Sequence, residues 1–136
     1  ASLNCPIINL HMSYLPFNRG AHPNFWSFYD QTPSGVSIHL IDDGIDTGPT
    51  LWQTQVELDP KIATFSDTYW TLFRCLEDLF ENKLDLILNS NWTPFRSNIT
   101  GTFHSLKDLP LEFRGWDQNI ESEIARLKEI RGAKQV

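Results

Sequence analysis

Apolar residues recur at Phe65, Tyr69, Leu72, Phe73, Leu76, Leu79, Phe80, Leu84 and Ile87. Residues three and four apart share a helix face, so this spacing predicts an amphipathic helix of roughly six turns laid over a sheet. Thr64-Phe65-Ser66-Asp67 precedes it as a capping box, with Asp in place of the usual Glu. A second helix is expected from Asn119 to Arg131, with Ile120, Ile124, Leu127 and Ile130 on one face and Gly132 as its stop.

Strand patterns lie upstream. Pro6-Ile7-Ile8-Asn9-Leu10-His11 begins apolar and ends polar, the pattern of a buried strand that delivers side chains at its C-terminal end. Gly35 to Ile41 alternates, Asp42-Asp43-Gly44 signals a turn, and Leu51 to Leu58 reads as a strand antiparallel to the first of these two. Between them Ser13 to Pro33 is a long loop with a short helix expected around Phe25 to Tyr29; its aromatic content argues against disorder. Within it Leu15-Pro16 is expected to form a constrained turn, with trans as the default for its peptide bond and cis the alternative.

Length and charge narrow the function. The 136 residues suit one modest domain, and 11 basic against 17 acidic residues give a net charge of −6. Such a chain repels polynucleotide phosphate, and its basic residues form no stripe, so nucleic acid is not an expected partner. No stretch approaches the roughly 20 apolar residues of a membrane helix. Residues 1 to 15 show neither a basic start nor an unbroken apolar run, so no signal peptide is read there. Cys5 and Cys75 have no metal-ligand spacing and fall in apolar-looking elements, so buried reduced thiols and a cytoplasmic protein are expected.

Three segments carry the chemistry: Asn9-Leu10-His11-Met12-Ser13-Tyr14-Leu15-Pro16, then Asn18-Arg19-Gly20-Ala21-His22-Pro23, then Gly35-Val36-Ser37-Ile38-His39 running to Asp43-Gly44-Ile45-Asp46-Thr47-Gly48-Pro49. In this order they resemble the formyltransferases that use 10-formyltetrahydrofolate. The wording from Tyr14 to Gly20, with Gly101-Thr102-Phe103-His104 downstream, is most similar to the sugar-nucleotide N-formyltransferases. Met12 stands where many members have Pro. The resemblance implies a fold, a reaction and a site. The fold is α/β: an incomplete, mostly parallel sheet with an antiparallel strand pair and a long covering helix. Residues 1–110 would form the C-terminal part of the catalytic domain and 111–136 a helical extension; the family's N-terminal nucleotide-fold half, which should precede Pro6, is read as absent from this sequence. Asn9, His11 and Asp46 match the family's catalytic trio, and folate would sit against the loop Leu40, Ile41, Asp42, Asp43, Gly44 and Ile45. The acceptor would be a small-molecule amine on a sugar nucleotide.

The residue types suit that chemistry. His11 can shuttle protons near neutral pH. Asn9 lies two residues away, hence on the same strand face, where its amide can donate to a developing oxyanion. Asp46 can orient His11 and raise its pKa through opposite charge. Taken singly, Asn-X-His at a strand end is more often a structural turn, and Asp46 between glycines is often an Asx-turn. His39 reads equally as a support for the site and as a core histidine, His22 and His104 read as structural, and four histidines without paired spacing form no zinc site. Two other readings share the trio: an incomplete fragment acting as a folate-binding or interaction module, and hydrolysis of formyl-tetrahydrofolate. An apolar Ile7-Ile8-Leu10 strand with an open edge also predicts a two-fold homo-oligomer, with Ala1 to Cys5 folding back over that edge as the competing arrangement.

Overall fold

A computed structural model describes residues 5–135. Three strands form its main sheet in the order β1 (Ile8–His11), β3 (Gly35–Leu40), β4 (Thr50–Gln55). Both pairings are antiparallel: Asn9 faces His39 and His11 faces Ser37 across β1 and β3, while Ile38 faces Trp52 across β3 and β4. The structure is mixed α/β with a long covering helix, but its parallel pairing is confined to β2 (Arg19–Gly20) and β5 (Phe103–His104). The expected mostly parallel sheet is corrected here: the chain from β1 turns back at residues 13–17 and re-enters the sheet running the other way.

β3 is the central strand, buried throughout except at Leu40. The expectation of a buried strand at Pro6 to His11 fails for a related reason. β1 is an edge strand, and Ile7 and Leu10 are 40% and 37% exposed. Residues 1–4, part of the segment expected to fold back over that edge, lie outside the described residues.

Helix α2 (Phe65–Leu88) starts at the expected cap. Thr64 N–H donates to Asp67 Oδ2 at 2.9 Å and Asp67 N–H donates to Thr64 Oγ1 at 3.0 Å, so two otherwise orphaned donors satisfy each other's residues. Not all nine apolar positions reach the sheet. Leu72 and Leu76 pack with Val36, Ile38 and Leu51, whereas Tyr69, Phe73 and Leu84 are exposed. Phe65, at the N-terminus of α2, belongs to a second core with Phe25, Trp26 and Tyr29 of α1 (Pro23–Tyr29) and Ile120, Ile124 and Leu127 of α3 (Ile120–Lys134). Each fully buried side chain of this size stabilises the fold by roughly 1.5–3 kcal/mol.

Two further expectations are corrected. α3 runs through Gly132 to Lys134, because Gly132 does not take the left-handed conformation that a glycine stop requires. Cys5 is exposed and Cys75 half-buried, so the thiols are free but not both enclosed; Cys5 precedes the edge strand and Cys75 lies on the flank of α2. No helix among the described residues is long and apolar enough to cross a membrane.

Candidate active site

Strand parity places Asn9 and His11 on the sheet face opposite α2, beside Ser37 and His39 of the neighbouring strand. The loop after His11 folds back over this face and is pinned to it. Ser37 Oγ donates to the Ser13 carbonyl at 2.7 Å and accepts from Leu15 N–H at 3.2 Å, while Gln53 Nε2 donates to the Leu15 carbonyl at 3.0 Å. Phe17 N–H closes a turn on the Tyr14 carbonyl at 3.0 Å, and the Leu15–Pro16 bond inside it is cis. The turn brings the Asn18 carbonyl to His11, whose Nε2–H donates to it at 2.9 Å. A backbone carbonyl can only accept, so the neutral ring carries its proton on Nε2. Among the described residues Nδ1 of His11 has no hydrogen-bond partner.

Asp46 comes from the loop after β3 and holds a left-handed backbone at φ 56°. One carboxylate oxygen lies 3.5 Å from His11 Nε2 and the other 3.6 Å from His39 Nε2. The oxygen facing His11 also accepts Gly20 N–H at 2.8 Å. His39 is 1% exposed; its Nδ1–H donates to the Leu40 carbonyl at 3.0 Å, and its Nε2 lies 3.5 Å from Asn9 Nδ2. Asn9, His11, His39 and Asp46 therefore form one connected group.

Their electrostatics differ. Burial is the largest influence on His11 and lowers its pKa, outweighing the Asn18 carbonyl and the Asp46 charge, which both favour the imidazolium. The expected rise of the His11 pKa is thus reversed: Asp46 pulls upward, but desolvation wins. In His39 burial also pulls downward, yet the hydrogen bond to Asp46, the Leu40 carbonyl and the charges of Asp46 and Asp42 carry its pKa above the ordinary value. Burial opposes ionisation of Asp46, but the bonds from His39 and Gly20 and the charges of both histidines hold it at about 2. At neutral pH the group presents a neutral His11, an ionised Asp46 and a proton-prone His39.

The loop expected to meet folate lies against this group. Asp42 organises it: Oδ1 accepts Gly44 N–H at 3.0 Å and the Thr47 hydroxyl at 2.6 Å. Asn9, His39, Ile41, Asp42, Gly44, Ile45 and Asp46 border a cavity of about 170 Å³. Leu40 ends β3 beneath it, and Asp43 is exposed and does not line it. Ligand pockets usually span roughly 300–1,000 Å³, so this cavity admits part of a ligand. Ile41 and Ile45 stand 50% and 62% exposed at its rim.

Three participants are not legible in the sequence: two backbone groups, the Asn18 carbonyl and the Gly20 amide, and the Arg96 side chain as a brace. Arg96 Nη1 donates to the Thr47 carbonyl at 2.9 Å and Nη2 lies 3.5 Å from Asp42 Oδ2, so one guanidinium spans the loop. His104, read as structural, bonds Asp30 at 2.7 Å and stacks on Trp26 away from this group. His22 lies beside Trp116, its ring centroid 5.2 Å from that of the indole. Among the described residues no cluster of three potential metal ligands occurs.

Asn9 and His11 on one strand face meet Asp46 of the loop after β3, and likeness to known proteins defines the class. The sequence profile described as Formyl transferase matches residues 2–73, and the chain belongs to that family. It is 40% identical to the formyltransferase PseJ of Anoxybacillus kamchatkensis, solved with UDP-4,6-dideoxy-4-formamido-L-AltNAc and tetrahydrofolate; the match has a TM-score of 0.80 and covers 88% of this chain and 65% of that one. It is 30% identical to the dTDP-4-amino-4,6-dideoxyglucose formyltransferase of Mycobacterium bovis over 79% of this chain and 48% of the relative. It is also 31% identical to the methionyl-tRNA formyltransferase of Clostridium novyi over 92% of this chain and 40% of the relative. The chain thus spans about half the length, or less, of these curated relatives.

Proposed function

We propose that this chain carries the catalytic face of a formyltransferase that moves a formyl group from 10-formyltetrahydrofolate to the primary amine of an amino-sugar nucleotide. The observation that carries the reading is the approach of His11 Nε2 to Asp46 at 3.5 Å on the strand face that also bears Asn9, in a chain of the formyl transferase family. The sugar acceptor is favoured by the 40% identity to an enzyme solved with a formamido-sugar nucleotide.

The folate supplies an activated formyl carbon: the amine nitrogen bonds to it, the bond to N10 breaks, and the amine's proton ends on N10. His11 takes up the amine's proton and returns it to N10. Its lowered pKa keeps it a free base at neutral pH. Asp46, ionised throughout, stabilises the imidazolium while His11 holds the proton. The Asn9 amide donates to the oxygen on which negative charge develops, at the mouth of the cavity beside Ile41 to Asp46. The loop Leu40 to Ile45 holds the folate through its backbone groups.

The test supplies the protein with 10-formyltetrahydrofolate and a UDP- or dTDP-linked 4-amino sugar, and follows tetrahydrofolate release together with the mass of the sugar. Formylated sugar, lost in His11→Ala, is the expected result. Folate release without formylated sugar would mark hydrolysis, and formylation only of charged initiator tRNA would replace the sugar as acceptor. Two accompanying proposals are a cytoplasmic setting and self-association along the edge of β1 that is unpaired among the described residues, where Ile7 and Leu10 are exposed. Sedimentation velocity at micromolar concentration tests the second, and a clean monomer refutes it.

A further inference from the structure

Asn18 and Gly20, which hold His11 and Asp46, are themselves held from behind by a segment outside residues 2–73, the stretch matched by the family profile. Asn18 N–H donates to Thr102 Oγ1 at 2.7 Å, and Arg19 N–H donates to the Thr102 carbonyl at 2.9 Å. Thr102 N–H returns to the Pro16 carbonyl at 3.2 Å. The Asn18 side chain is bound on its other flank, its Nδ2 donating to Thr32 Oγ1 at 2.9 Å. Asn18 is 1% exposed and has φ 59°. Asparagine is among the side-chain residues that most readily take this left-handed conformation, and the bonds to Thr102 and Thr32 hold it there. Here the conformation turns the Asn18 carbonyl onto His11.

We propose that Thr102 is a positioning residue for His11: its hydroxyl fixes Asn18, the Asn18 carbonyl fixes the proton on Nε2, and the ring is left presenting Nδ1 to the reacting groups. The catalytic consequence rests on the formyl-transfer reading; the positioning itself does not. Thr102 reaches His11 only through Asn18. The titratable groups facing the ring are Asp46 and His39, and Thr102 adds no charge to them. A change in the ring of a Thr102 variant therefore reports geometry.

Histidine-labelled full-length protein is examined by long-range proton–nitrogen NMR at several pH values, beside steady-state kinetics. The wild type is expected to show His11 in the Nε2–H tautomer. Thr102→Val keeps the shape and removes the hydroxyl. It is expected to give mixed tautomers, a lower titration midpoint for His11, and about 10-fold lower kcat with KM unchanged, since small misplacements of reacting groups are costly. Thr102→Ser keeps the hydroxyl and is expected to restore the wild-type ring and rate. A folded valine variant with the wild-type tautomer overturns the proposal. So does a serine variant whose ring is as disturbed as the valine variant's, and the serine variant decides alone should valine fail to fold. A wild type inactive in formyl transfer, but with the tautomer responding to Thr102, removes the functional reading and leaves the positioning role intact.

Discussion

Gly20 gives its backbone N–H to Asp46 at 2.8 Å, on the oxygen that faces His11. The donor can stand there because Gly20 adopts φ +87° and packs its α-carbon against the His104 carbonyl, leaving no room for a Cβ. Gly20→Ala is expected to destabilise the fold by roughly 1–3 kcal/mol of backbone strain and to move the amide off Asp46. Thermal unfolding and kcat should fall together; an alanine variant as stable and active as wild type would contradict the strain.

The two histidines that share Asp46 should titrate in a fixed order, His39 above the ordinary histidine value and His11 below it. The raised group stabilises the fold fully below about pH 6.5, and this contribution is lost as pH rises through the folded pKa of His39. The lowered group acts oppositely: as pH falls below about 6.5, protonation of the unfolded chain draws stability away until His11 itself is protonated. Asp46→Asn should lower both midpoints, because both lose a nearby negative charge. Proton NMR of the ring signals checks the order, and His11 titrating at the higher pH would refute it.

Arg96 braces the loop from Asp42 to Thr47 from outside the site. Its side chain is 63% exposed, so the pair adds little to global stability. The expected effect of Arg96→Ala is local: an unchanged melting temperature and about 5-fold weaker binding of a stable folate analogue, with Arg96→Lys in between because lysine lacks the fork needed to span both partners. Calorimetry with the analogue measures this, and equal affinity in all three proteins would remove Arg96 from the loop's support.

What the sequence revealed follows from what side-chain patterns can encode. The cap of α2 was legible because Thr64 and Asp67 are a side-chain motif, and the shared face of Asn9 and His11 because strand parity is fixed. The Asn18 carbonyl and Gly20 amide escaped notice because every residue carries such groups and only tertiary placement selects two of them. β2 and β5 are two residues long, too short for any alternation. Glu123 is 3% exposed, a burial that no local pattern signals.

That glutamate is a buried charge outside the site. It accepts Arg114 N–H at 2.7 Å and pairs with Arg126 at 2.8 Å, tying α3 to the segment before it. The bond from Arg126 is the main reason its pKa lies below the usual carboxylate range. Its contribution is present above about pH 4.5 and is lost as pH falls through the lowered value. Glu123→Ala should lower the melting temperature at pH 7 by roughly 5 °C or more, and by less near pH 3, as calorimetry at the two pH values would show. An equal drop at both would mean that packing, not charge, is lost.

Because Phe65 sits in the aromatic cluster while Leu72 and Leu76, two and three turns further on, sit under the sheet, α2 belongs to both cores at once. A rigid element shared in this way denies either core an independent melting transition. Opening the cluster that holds α3 loosens the helix packed on the face of β3 opposite His39, so the proposed catalytic face exists only in molecules whose distant aromatic cluster is intact. Substitutions around Phe25 or Ile120 would then thin the population of competent molecules while leaving each surviving molecule as fast as before.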